Sequence, residues 1–367
     1  MNKYNYLHIL WQDDIKFYPN LVNMINTEKK FFDSKEHLFI TPHKMVYEQL
    51  KIHDNIVLVN EKNMLNKYGS FANWIFIHAM NAKKLDIIKI RKEISRKIIW
   101  RTWGHDIRKV KYKEYEFLKN KMRKILNFLY LRKIRQFYAI GVANDVDIVN
   151  IHNVFGNNIK TLNLSYTYRV GAYDNLVEIK NKSLKKGNKI IRIMVGHCGA
   201  EADRHLEIFE KLKKYKDENI IISLILSYGD KDYIKKVKSK AIEIFNNKVE
   251  FINNYMEYDD FARYISTVDV AILDQIYSNA LGNLSLLMYF QKKVYINRDG
   301  NVAESFCNNG IKANYTDDIY KLNFEEFVNN KEFDKKLLGY SSIHSHICDC
   351  ENWKNILDSL NNNLLKV

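Results

Sequence analysis

Proline, cysteine and long apolar runs are scarce in this chain. Its 367 residues include two prolines (Pro19 and Pro42), four cysteines and thirteen glycines. Proline and glycine this sparse exclude a collagen-like or low-complexity chain, and no internal repeat appears. Only Cys348 and Cys350 are neighbours, and their C-x-C has no second pair at zinc-site spacing, which excludes a disulfide scaffold. Free cysteines without a secretory signal point to a reducing cytoplasm. No apolar run approaches the roughly 18 residues a spanning helix needs, and residues 1–10 read as a strand. With 46% apolar residues the chain buries enough surface to exclude disorder as its main state.

Positive charge is abundant instead. Lys and Arg number 58 against 43 Asp and Glu, a formal net charge of +15. Such a balance implies an anionic partner: nucleic acid, anionic lipid or a phosphorylated substrate. The chain is also rich in Lys, Asn, Ile and Tyr, a bias that an AT-rich genome produces, so the placement of the charge says more than its total.

Short apolar runs alternate with amphipathic stretches, the pattern of α/β domains with parallel sheets. In the first half the spacing predicts strands at Tyr6–Leu10, His37–Ile40, Asn55–Leu58, Trp74–His78, Lys97–Trp100 and Phe137–Ala143, with helices such as Pro19–Asn26, His43–Leu50 and Glu114–Arg135. Residues 180–189 (KNKSLKKGNK) read as a linker. Beyond it strands are predicted at Ile190–Val195, Ile220–Leu226, Val249–Ile252, Val270–Leu273 and Val294–Ile296. The helices between them fall at Asp203–Lys214, Lys231–Phe245, Tyr258–Thr267 and Gly282–Phe290. The expected organisation is a first domain over 1–182, a second over 188–349, and a final helix in 350–367 that packs back on the first. Ligands of such sheets bind beyond the carboxyl ends of strands, and the default site is the cleft between the domains.

In the second half, Ile190–Val195 runs into Gly196-His197-Cys198-Gly199, with Arg204 and His205 in the first turn of the next helix. The glycines permit close backbone approach to a phosphate; the plainer reading is a βα turn with Asp203 as cap. Ile220–Leu226 ends in Ser227-Tyr228-Gly229-Asp230, where Tyr228 either stacks on a base or sugar or is part of a tight turn. Val270–Leu273 leads through Asp274-Gln275 to Gly282, Asn283 and Ser285 at a helix start, where amides and the helix dipole favour an anion such as a diphosphate. In the first half, Trp103-Gly104-His105-Asp106 places an imidazole beside a carboxylate, a pairing suited to general-base work on a hydroxyl. His78 at a strand end and Asp13 after the first strand are further candidates, each with a structural alternative. No metal signature is evident, and Asp145-Val146-Asp147 and Tyr258-Asp259-Asp260 read as helix starts.

Residues 107–136 hold eleven Lys and Arg, among them Lys119, Arg123, Lys124, Arg132 and Lys133, against two Glu. Phe117, Phe128 and Tyr130 lie among them. A basic segment around an aromatic and apolar face suits an anionic bilayer; nucleic acid and simple packing into the domain are the alternatives.

The order of motifs resembles glycosyltransferase family 56, the TDP-N-acetylfucosamine:lipid II N-acetylfucosaminyltransferases of enterobacterial common antigen synthesis. The matching stretches are "HILWQDD" at the start, "FIHAMN" at 76–81, "WRTWGHDI" at 100–107, "IMVGHCGAEADRHLEIF" at 193–209, "LSYGDKDYIKKVKSKAIEIF" at 226–245, "YDDFARYISTVDVAI" at 258–272 and "LGNLSLLMYFQKKVYINRD" at 281–299. They are colinear and cover most of the chain.

The resemblance implies a GT-B fold, two Rossmann-like domains facing a cleft, and a nucleotide-sugar glycosyltransferase that needs neither cofactor nor metal. It implies a TDP- or UDP-linked donor and a polyprenyl-diphosphate-linked acceptor reached at the cytoplasmic face of the inner membrane, with no nucleic acid as partner. Gly196, His197, Gly199, Arg204, Tyr228, Gly229, Asp274, Gln275, Gly282, Asn283 and Ser285 then fall around the donor. Trp103, His105, Asp106, His78 and Asp13 fall on the acceptor side, and Lys119, Arg123, Lys124, Arg132 and Lys133 toward the membrane. Here "GHCG" replaces the family's Gly-Asn-Ser-Gly, and His105 stands where the family turn more often has a small residue, which leaves Asp106 as the base the pattern supports. Transfer to a hydroxyl requires that the leaving diphosphate be stabilised, by the Gly282 helix start with Arg204 or Arg298.

Overall fold

A computed structural model describes residues 4–15, 17–59, 63–103, 106–107, 121–142, 145–164, 172–183, 190–277, 280–330, 333–340 and 345–364. The chain forms two compact units, one made of residues 1–170 with 344–367 and the other of residues 171–343.

The first unit is built on seven parallel strands: β1 (Tyr4–Leu10), β2 (His37–Thr41), β3 (Ile56–Leu58), β4 (Ala72–His78), β5 (Ile98–Arg101), β6 (Ala139–Val142) and β7 (Thr161–Asn163). Their order is β3-β2-β1-β4-β5-β6-β7. β1 pairs with both β2 and β4, in register Tyr6 with Trp74 and Leu10 with His78 on the β4 side. Central strands covered on both faces read as near-continuous apolar runs, as β1 and β4 do. Successive side chains nevertheless part to opposite faces. Leu7, Ile9, Ile75 and Ile77 enter one core, with Trp100 and Ile140. Tyr6, Leu10, Trp74 and Phe76 enter the other, with Trp353, Leu357 and Leu360 of the final helix His346–Leu364.

The second unit has six parallel strands: β8 (Ile191–Val195), β9 (Ile220–Ile225), β10 (Val249–Ile252), β11 (Val270–Leu273), β12 (Lys293–Ile296) and β13 (Asn314–Tyr315). Their order is β10-β9-β8-β11-β12-β13. Both sheets reverse direction of growth at one place, between β1 and β4 and between β8 and β11, the topological switch points where doubly wound sheets bind ligands.

The boundaries differ from the sequence reading in two respects. The expected linker at 180–189 begins inside a helix, Ala172–Ser183, that belongs to the second unit; Asn175 Nδ2 there donates to Asp259 Oδ2 at 2.9 Å. The second unit therefore starts at 171 rather than 188 and gives way at 344 rather than 350. Of the expected helix Glu114–Arg135 the structure describes Lys121–Ile134; residues 108–120 lie outside the described residues. β7 and β13 have no counterpart among the predicted strands; β13 has only two residues, and β7, Thr161–Asn163, has a single strongly apolar residue, Leu162.

Candidate functional site

At the carboxyl end of β8 the backbone turns through Gly196, whose φ of 69° suits glycine. A Cβ there would stand 2.5 Å from His205 Nε2. The turn is organised from a distance by Asp203, fully buried in the 3₁₀ turn Glu201–Asp203. Its Oδ2 accepts from the backbone N–H groups of His197 and Cys198, each at 2.8 Å. Its Oδ1 lies 2.8 Å from His197 Nδ1 and accepts from Gln275 Nε2 at 2.5 Å. Burial alone would raise this carboxyl, but the His197 side chain and backbone and Gln275 outweigh it and hold Asp203 down at about 2. Ionised Asp203 can only accept, so His197 carries its proton on Nδ1.

A second glycine turn locks onto the first. Gly199 N–H donates to Tyr228 O at 2.8 Å and Asp230 N–H to Gly199 O at 2.9 Å. Gly229, with φ 135°, lies so close that a Cβ would meet Gly199 O at 2.3 Å. Tyr228 is left 58% exposed, its ring edge-on to His197 at 6.3 Å. After β11, buried Asp274 accepts at Oδ1 from Asn297 Nδ2 (3.0 Å) and Thr316 Oγ1 (2.5 Å). Its Oδ2 faces the Arg204 guanidinium at 3.4 Å, an ion pair rather than a close hydrogen bond. Arg204 sits in the left-handed region (φ 51°) just before helix His205–Leu212, with its side chain one-third exposed. The helix after β11, Leu281–Tyr289, starts without a side-chain cap. Gly282 has open space around it, Asn283 is half-buried and Ser285 buried. Arg298 is committed elsewhere, donating to Asp318 Oδ2 at 2.9 Å over the Tyr315 ring.

His197, Cys198 and Asp203 bring three metal-ligating atoms within 4.8 Å. The donor set does not suit an ion: both Asp203 oxygens are taken by N–H donors. The backbone N–H groups of residues 196–199 are likewise all taken within the protein, by Ile272 O, Asp203 Oδ2 and Tyr228 O.

In the first unit two of the expected bases are placed where proton exchange with a substrate is hindered. Asp106 is buried and accepts four N–H groups: Trp100 Nε1 (3.0 Å) and Met80 N (3.1 Å) at Oδ2, Trp103 N (2.9 Å) and Ile107 N (3.1 Å) at Oδ1. It ties the end of β4 to the segment after β5, the same device as Asp203. His78 is fully buried and packed into the core. Its Nε2 lies 3.1 Å from His8 Nδ1, and His8 Nε2 lies 3.0 Å from His37 Nδ1. Burial, with Arg101 adding to it, brings His78 down to about 3, and burial does the same for His37. His105 lies outside the described residues. Asp13 is exposed just beyond β1, and Trp103 packs against Phe17 and Tyr18 at 5.5 and 5.3 Å.

On helix Lys121–Ile134, Ile125, Phe128 and Leu129 are exposed, as are Lys124 and Arg132. Lys133 donates to Ile90 O at 2.8 Å and is not a free surface cation. Lys119 and the Arg123 side chain lie outside the described residues. No helix among the described residues is long and apolar enough to cross a membrane.

The missed residue of this site is Asp203, which the sequence offered only as a helix cap. The signal was its spacing: an acid following a Gly-x-x-Gly turn closely enough to fold back onto it.

Comparison with known proteins agrees with this architecture. The sequence model of the family described as 4-alpha-L-fucosyltransferase, glycosyl transferase group 56, matches residues 17–357. A glycosyltransferase from Rickettsia africae ESF-5 superposes with a TM-score of 0.60 at 11% identity, covering 99% of this chain and 100% of that one. Anabaena Alr3699/HepE in complex with UDP and glucose gives 0.54 at 10% identity, covering 99% and 98%. The S. aureus MnaA–UDP co-structure gives 0.53 at 12% identity, covering 98% and 97%. At these identities the likeness is one of fold, and the fold is GT-B. No curated protein matches the chain by sequence.

Proposed function

Since the chain belongs to glycosyl transferase group 56, we propose that it moves an N-acetylated deoxyhexosamine, such as Fuc4NAc, from a TDP- or UDP-linked donor to a polyprenyl-diphosphate-linked oligosaccharide. Glycosyl transfer from a nucleotide sugar follows from the family; the sugar, the acceptor and a peripheral position on the cytoplasmic membrane face are the proposal.

The observation that carries it is the Asp203-braced turn at the β8/β11 switch point. Ile272 O, Asp203 Oδ2 and Tyr228 O take up the N–H groups of residues 196–199, so the turn acts by fixing Arg204 and Tyr228 in place rather than by offering donors of its own. The donor diphosphate gains charge as its bond to the sugar breaks, and preorganised donors that meet this charge accelerate the step. The uncapped start of helix Leu281–Tyr289 supplies N–H groups and the positive end of the helix dipole. Arg204, steadied by Asp274, supplies a full positive charge. Tyr228 offers an exposed ring for the base or sugar. With Asp106 and His78 occupied structurally, the base role falls in this reading to Asp13, which is exposed just beyond β1. The membrane part of the reading is supported by the exposed apolar trio Ile125, Phe128 and Leu129 beside Lys124 and Arg132.

A thermal-shift screen of the full chain against TDP- and UDP-sugars tests the donor. At least one donor is expected to raise the melting temperature, and Arg204→Ala to weaken it at least tenfold. Silence across the panel at millimolar concentration sinks the reading. Flotation with anionic vesicles, reversed by high salt, tests the membrane; equal activity on a soluble acceptor without vesicle binding would favour a soluble substrate instead.

A further inference from the structure

One cluster of metal-ligating side chains lies far in sequence from the donor turn. The final helix carries His346 and Cys350 four residues apart, which places them on one face. Glu28 follows helix Tyr18–Thr27 and meets them there. His346 Nε2 lies 2.9 Å from Glu28 Oε1 and 3.8 Å from Cys350 Sγ, and the three ligand atoms lie within 4.8 Å of one another. All three residues belong to the first unit.

An ion pair accounts for Glu28 and His346 but not for the thiol. Cys350 is fully buried, yet its sulfur points at the same imidazole nitrogen that the carboxylate already engages. One nitrogen with at most one proton does not serve two acceptors well, whereas one cation serves three donors. Zinc bonds of about 2.3 Å to sulfur and about 2.1 Å to nitrogen or oxygen give tetrahedral edges of about 3.6 Å (N···S) and 3.4 Å (N···O). Shifts of roughly half an ångström at most bring the two observed distances to these values. The charge around the site is also suited to a cation: Glu28 lies in the cluster, and Asp349 and Glu351 flank Cys350 in sequence. Ligand-type residues are concentrated here. The segment His344-Ser345-His346-Ile347-Cys348-Asp349-Cys350 contains two of the chain's four cysteines.

We propose that Glu28, His346 and Cys350 form a zinc-class site that pins the final helix to the first unit, with water completing the coordination on the partly exposed Glu28 side. A borderline-soft ion suits one thiolate, one imidazole and one carboxylate; Mg²⁺ and Ca²⁺ do not. Binding releases the thiol proton to solvent.

The test uses the full-length protein, stripped with chelator and titrated with ZnCl₂ and CoCl₂, with MgCl₂ as control. The expected result is one equivalent of zinc bound, a rise in melting temperature, and a thiolate-to-cobalt charge-transfer band with Co²⁺. Cys350→Ser should abolish the band. Glu28→Gln, at a half-exposed position that tolerates the change, should weaken zinc binding at least tenfold while the fold, read by circular dichroism, persists. Cys348→Ser should leave both intact. The proposal is overturned if zinc binds less than stoichiometrically, if the band survives Cys350→Ser, or if it depends on Cys348 or Cys198 instead. None of these readouts depends on donor or acceptor.

Discussion

Asp203 and Asp106 each gather four hydrogen-bond donors, and each does so at a strand end rather than at a helix cap. Removing such a carboxylate strands several buried donors together. Asp203→Ala is expected to cost about 3 kcal/mol of stability, measured by urea unfolding, and to abolish the thermal shift by nucleotide sugars. Asp203→Asn should retain part of both, since its carbonyl still accepts while its NH₂ confronts other donors. Gly229→Ala drives a methyl into the Gly199 backbone and should cost about 1–3 kcal/mol. At this scale the sequence was legible in part. The glycine turns stood out because only glycine allows their backbone and close approach. The two aspartates were read in other roles, because their partners are main-chain amides, which leave no mark in the sequence. His78 was read as a strand-end candidate with a structural alternative, and nothing local shows that the final helix covers it.

Among the elements, the strands were the easiest to read and the histidines inside them the hardest. His8 on β1, His37 on β2 and His78 on β4 meet diagonally across three adjacent strands, His37 opposite Tyr6 and His78 opposite Leu10, and hydrogen-bond in a row. All three are pushed down, His37 and His78 to about 3, chiefly by burial. An unfolded chain binds protons on these residues from about pH 6.5 downward, while the folded one stays neutral. Their contribution to stability is therefore complete above pH 6.5 and declines as pH falls from there toward 3. The slope is up to about 1.4 kcal/mol per pH unit for each histidine. Melting temperature should fall markedly between pH 7 and pH 5, with tryptophan fluorescence reporting the first unit through Trp74 and Trp353. A flat profile over that range would show that the row is protonated without penalty. Sequence periodicity found these strands because apolar neighbours surround each histidine, and for the same reason it could not show that the three meet.

For the molecule as a whole, the first unit is discontinuous: it needs residues 344–367 after the second unit has intervened. Trp353, Leu357 and Leu360 fill the core beside Tyr6 and Phe76. Trp353→Ala should cost about 3–5 kcal/mol and shift the melting transition of the first unit more than that of the second, as calorimetry can resolve. The two-unit α/β plan was legible from the rhythm of strands and helices. The boundary was not, because KNKSLKKGNK is polar whether it is a linker or the exposed end of a helix. This layout also has a consequence for biosynthesis. A nascent chain leaves the ribosome N-terminus first, so β1 to β7 emerge long before the helix that covers one of their faces. Residues 171–343 form an uninterrupted segment and can complete their own sheet while the earlier strands still wait. Domains generally fold in the order of synthesis; here the second unit is ready to finish first, and the apolar face around Tyr6 and Phe76 is the surface a chaperone would have to shield until the helix His346–Leu364 emerges.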